Sequence, residues 1–201
     1  MTLFINGCVR PQSRTRELAE AVLAKLGGTV EEICLATEGP APMDYAALTL
    51  RDKLLSEGSL HHPALALAQQ FAESDTIVVA APYWDLLFPA AVRAYFEAVT
   101  VSGITFRYDE HGVPQGLCRA KRLIYVTTAG GPIFANMGFD YVQALCRSFY
   151  GINEVICVKA EGLDIVGAHV EAILEEAKKL DAALPIAEKN RGNTDLPLER
   201  K

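Results

Sequence analysis

The chain has little of what marks the specialised protein classes. Its five cysteines, at 8, 34, 118, 146 and 157, are odd in number and show no Cys-x-x-Cys spacing. Neither a disulfide framework nor a zinc site is indicated, and no metal is expected. No apolar run is long enough to span a bilayer, and Met1 leads almost directly into Leu3-Phe4-Ile5 without the regions of a signal peptide. A cytoplasmic location without a membrane partner is the expectation. Basic clusters are scarce too. The single group, Arg119-Ala120-Lys121-Arg122, reads as a solvated approach to a strand, and the net charge of -6 argues against nucleic acid as a partner. The four histidines, His61, His62, His111 and His169, stand apart from any nucleophile motif and read as surface residues, which leaves hydrolase chemistry without support.

What remains is ordinary for a globular protein: 201 residues, half of them apolar and 22% charged. A chain of this length buries roughly 70% of its unfolded surface in one domain. We expect that domain over 1–187, followed by a polar tail over 188–201. Strand-like and helix-like segments alternate. Strands are expected over 3–7, 30–35, 76–81, 123–128 and 154–160, with Glu31 and Glu32 placing the second near an edge. Helices are expected over 15–26, 44–57, 63–73, 89–99 (Pro89 in the first turn), 137–150 (closed by Gly151) and 166–184. This alternation implies an α/β protein with a doubly wound five-stranded parallel sheet and helices on both faces. The segment after the first strand, Gly7-Cys8-Val9-Arg10-Pro11-Gln12-Ser13-Arg14-Thr15, lacks the G-x-G-x-x-G fingerprint of a dinucleotide site. The flavodoxin-like order 2-1-3-4-5 follows.

In that order the loops after strands one, three and four meet at one rim. The first offers Ser13, Arg14 and Thr15 at a helix start, where peptide N–H groups, the macrodipole and two hydroxyls favour a phosphate. Thr15 as an N-cap and Ser13 as a turn residue is the plainer reading. The second follows the apolar run Val78-Val79-Ala80-Ala81, which ends abruptly in Pro82-Tyr83-Trp84-Asp85-Leu86; aromatics there either hold a flat ligand or cover the sheet end. The third, Thr128-Ala129-Gly130-Gly131, allows close backbone approach, or is an ordinary turn. Together they match flavin mononucleotide (FMN) better than a nucleotide without a tricyclic ring. Peptide N–H groups of Gly130 and Gly131 would stabilise the charge near N1 and O2 of reduced flavin, and a peptide N–H around Trp84–Asp85 could donate to N5. Between the fourth helix and the fourth strand, residues 102–117 are too long for a simple connection. Phe106 and Tyr108 alternate there on one face, and 109–112 supply turn chemistry, so the segment reads as a flap walling a pocket, a subunit contact or a decorative insertion.

These residues resemble the FMN-dependent NAD(P)H:quinone oxidoreductases and azoreductases, from residue 2 to about 180. The marks are Ala81-Pro82-Tyr83-Trp84-Asp85, Gly103-Ile104-Thr105-Phe106-Arg107-Tyr108 with Gly116-Leu117, and Thr128-Ala129-Gly130-Gly131. The resemblance implies a homodimer and a ping-pong cycle. NADH or NADPH reduces FMN, and a quinone, azo or nitro compound then takes two electrons. It places Ser13, Arg14 and Thr15 at the phosphate, Tyr83 to Leu86 along the flavin edge, Thr128 to Gly131 at the pyrimidine side, and Phe106 and Tyr108 over the substrate. Cys8 falls where the family often has a serine touching phosphate or ribityl chain. Asp85 replaces a usual Asn, so it is expected to point away from the flavin or to cap a helix. Ala129 replaces an Arg found in many azoreductases. Two other readings stand beside this one, a one-electron carrier of the flavodoxin kind and a non-catalytic binding protein.

Overall fold

A parallel strand covered on both faces must be apolar at nearly every position, and three segments meet that demand. In a computed structural model that describes residues 1–179, they are β1 (Thr2–Asn6), β3 (Thr76–Ala80) and β6 (Arg122–Thr128), buried almost throughout. β2 (Val30–Cys34) starts with three exposed residues and β7 (Glu154–Ala160) is only partly covered. Those two lie at the edges of a five-stranded parallel sheet ordered β2-β1-β3-β6-β7. The order differs in its numbering from the expected 2-1-3-4-5, because the described residues include two further strands. β4 (Phe106–Tyr108) and β5 (Pro114–Gly116) form a separate antiparallel hairpin, so the fourth and fifth strands of the sheet are β6 and β7. At three residues each, the hairpin strands are too short to carry a legible alternation.

Alternation along the sheet strands divides the interior in two. Leu3, Ile5, Ile77, Val79 and Leu123 pack against Phe71 of α3 (Ala66–Glu73), Tyr95 and Phe96 of α4 (Ala90–Val99) and Val142 of α5 (Met137–Leu145). Phe4, Val78, Ala80, Ile124 and Val126 face the other way, onto Leu18, Ala19 and Val22 of α1 (Arg14–Leu26) and Leu174 of α6 (Val170–Lys178). α2 (Tyr45–Ser56) buries only Leu54, in a small third cluster with Leu65, Ala68, Val101 and Ile104.

Several boundaries move for local reasons. Asp44 caps α2 from outside by accepting the Ala47 N–H at 2.8 Å, and Pro89 is the N-cap residue of α4 rather than part of its first turn. The helix expected over 63–73 opens as a 3₁₀ turn, Pro63–Leu65, in which His62 Nδ1 accepts the Ala64 N–H. α5 continues as a π-helical turn, Cys146–Tyr150, and stops at Gly151 with φ 73°. α6 starts later than expected; the extension of that helix to 184 and the tail over 188–201 lie outside the described residues. No helix among the described residues is long and apolar enough to cross a membrane.

The hairpin is docked on the π-helical turn. Phe106 is edge-on to Phe149, with centroids 5.0 Å apart, and to Tyr108 at 5.3 Å. Gly116 has to be glycine, because a Cβ there would lie 2.2 Å from the Gly151 nitrogen and the Tyr150 carbonyl carbon. The Asp109 carboxylate closes the tip, accepting the N–H groups of His111 and Val113 at 2.9 Å each.

Candidate functional site

Ligands of open parallel sheets collect beyond the carboxyl ends of the strands, where the loops diverge. Here the loops after β1, β3, β6 and β7 enclose a cleft of about 330 Å³. Ser13, Arg14 and Thr15 line it from the first loop, Pro82, Tyr83 and Trp84 from the second, and Thr128, Ala129 and Gly130 from the third.

The first loop ends in a helix N-terminus aimed at the cleft. Ser13, not Thr15, is the N-cap: its backbone is extended and its Oγ accepts the Arg16 N–H at 3.4 Å. Capping of that kind leaves the N–H groups of Arg14 and Thr15 without intrahelical acceptors. Thr15 turns inward instead, and its Oγ1 lies 2.6 Å from Thr128 Oγ1, both hydroxyls buried. The pair ties the first loop to the third. Arg14 reaches across the cleft, donating from Nη1 to Asp164 Oδ1 at 2.7 Å and to the Leu163 carbonyl at 3.4 Å.

The second loop is stitched at both ends. The Tyr83 N–H donates to the Thr128 carbonyl at 3.1 Å and the Tyr83 hydroxyl to the Ala135 carbonyl at 2.9 Å. Beyond it the chain makes a two-residue turn. Trp84 and Leu87 exchange backbone bonds of 3.2 and 2.7 Å, while Asp85 and Leu86 take φ values of 50° and 70°. In the third loop, the Ala129 N–H is consumed by the Ala160 carbonyl at 2.9 Å, so the donors this loop can offer are those of Gly130 and Gly131.

Six expected residues do not line the cleft. Cys8 is buried beneath the first loop, its N–H donating to Asn6 Oδ1 at 3.0 Å. Burial pushes its thiol pKa up, against a bond with the Ser13 side chain that pulls it down, so the group is a protonated packing residue at neutral pH. Asp85 and Leu86 occupy the exposed turn, and Asp85 caps no helix, since α4 has no side-chain cap. Gly131 is exposed just outside the rim. The flap aromatics are elsewhere as well. Phe106 is spent on Phe149 and Tyr108 is half exposed, and neither lines the cleft of its own chain. His111 is exposed at the tip of the hairpin beside Glu110.

Sequence reasoning missed Val9, Arg10, Gln12, Leu163 and Asp164, which all line the cleft. The last two follow β7. Because β7 neighbours β6, the loop after it had to reach the same rim, and that adjacency was the available signal. Gly130 also has a different reason from the one expected. A Cβ there would lie 2.2 Å from Asp164 Oδ2, so the missing side chain makes room for a carboxylate.

A family model described as flavodoxin-like fold matches residues 1–184. The chain belongs to the flavodoxin-like family. Within that family, the FMN-dependent NADH:quinone oxidoreductase 2 of Clostridium acetobutylicum is 34% identical over 194 residues, spanning 88% of this chain and 96% of that protein. The FMN-dependent NADH:quinone oxidoreductase of Caldicellulosiruptor saccharolyticus is 42% identical over 130 residues, 62% of this chain and 64% of that protein. Among solved structures, the azoreductase of Bacillus anthracis superposes with a TM-score of 0.72 at 27% identity, covering 89% of this chain and 96% of its own. The flavodoxin-like rim of this chain thus brings hydroxyls, the free N–H groups of a helix start and two aromatic side chains into one cleft.

Proposed function

We propose that the chain is an FMN-dependent oxidoreductase that passes two electrons from NADH or NADPH to quinones, with azo and nitro compounds as further acceptors, in a ping-pong cycle. The observation that carries this reading is a cleft lined by both a helix start with hydroxyls and two aromatic side chains, in a chain that matches nearly the whole length of a relative named for FMN, NADH and quinone. The residues present fit FMN. A 330 Å³ cleft is within the size range of small-molecule sites, and the start of α1 beside it has the donors a phosphate monoester needs. When bound, FMN supplies the redox chemistry, accepting a hydride from the nicotinamide and releasing two electrons to the acceptor.

The protein's contribution is to bind, orient and stabilise charge. The start of α1 would hold the phosphate through the N–H groups of Arg14 and Thr15 and the Ser13 hydroxyl. Tyr83 and Trp84 border the flat ring. The N–H groups of Asp85 and Leu86, which the Trp84–Leu87 pairing does not consume, lie in the exposed turn outside the cleft and would be the donors this loop has left for the ring edge. Gly130, which lines the cleft, would supply its N–H to the pyrimidine side, with the N–H of Gly131 just outside the rim. With Ala129 between them and Thr128, no cation in this loop draws a sulfonated dye, which makes quinones the primary acceptor class. A homodimer belongs to the proposal. Trp84, Leu86, Leu87, Phe134 and Met137 leave apolar surface at and beside the second loop, from 42% (Leu87) to 87% (Phe134) exposed, more than a solvated rim would carry.

The test is a flavin absorption spectrum of the protein titrated with FMN, followed by anaerobic addition of NADH or NADPH and then benzoquinone. Bound flavin is expected to bleach with the nicotinamide and recover with the quinone, with parallel double-reciprocal plots and sedimentation as a dimer. Protein that neither retains FMN nor oxidises NAD(P)H in the presence of benzoquinone overturns the reading.

A further inference from the structure

The Arg14 guanidinium is already engaged on one side. Its Nη1 holds Asp164 Oδ1 at 2.7 Å and the Leu163 carbonyl at 3.4 Å, which anchors the first residue of α1 to the loop after β7. That loop is fastened in turn to the loop after β6. The Asp164 N–H donates to the Gly130 carbonyl at 2.8 Å and the Leu163 N–H to the Ala129 carbonyl at 3.2 Å. The Asp164 carboxylate then fills the space that a side chain at 130 would need, with Oδ2 2.2 Å from that Cβ position. Arg14, Gly130 and Asp164 all line the cleft, so a carboxylate stands in the wall beside the start of α1, where the phosphate is proposed to bind.

A carboxylate beside a phosphate is adverse unless it does something else. Arginine has five N–H donors in one rigid plane, and two acceptors on Nη1 restrict the directions open to those on Nη2 and Nε. We infer that Asp164 is a positioning residue, which by holding Nη1 turns the remaining donors of Arg14 onto the terminal phosphate of bound FMN. The inference rests on the FMN reading above. Orientation outweighs repulsion here for two reasons. The Asp164 side chain is 70% exposed and its charge is matched by Arg14 at 2.7 Å, so its field at the phosphate is that of a solvent-screened pair. An N–H bond to a phosphate oxygen is short-ranged and directional, and is lost when the guanidinium swings away.

Riboflavin has the same ring without the phosphate, so the ratio of riboflavin Kd to FMN Kd isolates the phosphate's contribution. Asp164→Ala is expected to lower that ratio about tenfold, the scale of one charge-assisted hydrogen bond, with riboflavin binding unchanged. Asp164→Asn keeps an acceptor oxygen and is expected to retain most of the ratio. In an Arg14→Ala background, Asp164→Ala should no longer lower it, because its effect passes through the arginine. Gly130→Ala, which displaces the carboxylate, should lower the ratio as Asp164→Ala does. A ratio that is unchanged or raised in Asp164→Ala overturns the inference, and so does equal loss of both flavins, which marks a merely structural tie. An unmutated protein that binds neither flavin overturns the FMN reading, and this inference with it.

Discussion

The hydroxyl pair of Thr15 and Thr128 shows how a single contact can join two distant parts of the rim. The two oxygens are 2.6 Å apart, buried, and come from segments 113 residues apart in the chain. Replacing one by valine keeps the shape but leaves the other hydroxyl without a partner, at a cost of about 1–3 kcal/mol. Thr15→Val and Thr128→Val should each lower the urea midpoint of the flavin-free protein, while the double variant should be the less destabilised of the three; additive losses would show that the hydroxyls do not act as a pair. Tyr83 and Thr128 were legible in the sequence because each stands at the end of an apolar strand run, and Ser13 and Thr15 because they open the first helix after one. Their partners were not. Asp164 carries no motif of its own, and its pairing with Arg14 spans 150 residues, a relation that only the order of the strands creates.

At the scale of elements, the informative piece is the turn at 84–87. Positive φ at both central residues suits a tight two-residue turn but favours Asn-Gly or Asp-Gly, and the chain has Asp85-Leu86. A leucine in the left-handed region costs roughly 1–2 kcal/mol. Leu86→Asn should therefore raise the unfolding free energy by about 0.5–1 kcal/mol, since asparagine adopts this conformation more readily. Chemical denaturation of the flavin-free protein checks it, and a loss of stability would mean that Leu86 has packing that outweighs the strain. The turn was unreadable from sequence because nothing in Trp84-Asp85-Leu86-Leu87 signals positive φ. The hairpin was half readable. Its tip residues declared a turn, but strands of three residues have no period to detect, and their anchoring depends on Gly116 meeting Gly151 across the fold. β1, β3 and β6 were legible for the opposite reason, as continuous apolar runs buried on both faces.

At the scale of the whole molecule, ionisation limits stability from both sides. Asp75 is held below the usual carboxylate range by the N-terminal amine and Arg119, Asp109 by the Val113 N–H, Glu161 by the Ile133 N–H and Glu175 by Lys178. A depressed folded-state pKa contributes stability above the unfolded value, about 3.9–4.3, that is lost as pH falls through the folded value. On the alkaline side, burial pushes the Cys118 and Cys146 thiols up to about 12 and Cys157 to about 11. Unfolded thiols release protons from about pH 8.5, so that contribution is complete below this value and declines above it. Denaturation midpoints measured across pH should accordingly form a plateau near neutrality that falls off in acid and in alkali. A midpoint that rises toward either extreme would contradict this assignment.

The two edges of the sheet bear on how copies of the chain can meet. β2 carries Glu31 and Glu32, which point to opposite faces, and β7 carries Glu154 and Lys159, all in partly or fully exposed positions. Another strand laid along either edge would have to desolvate those charges, which is how natural sheets resist fibre-like growth. Sheet extension is disfavoured at both edges, so the homodimer proposed above would have to form through side chains, and the apolar surface beside the second loop is the surface that proposal uses.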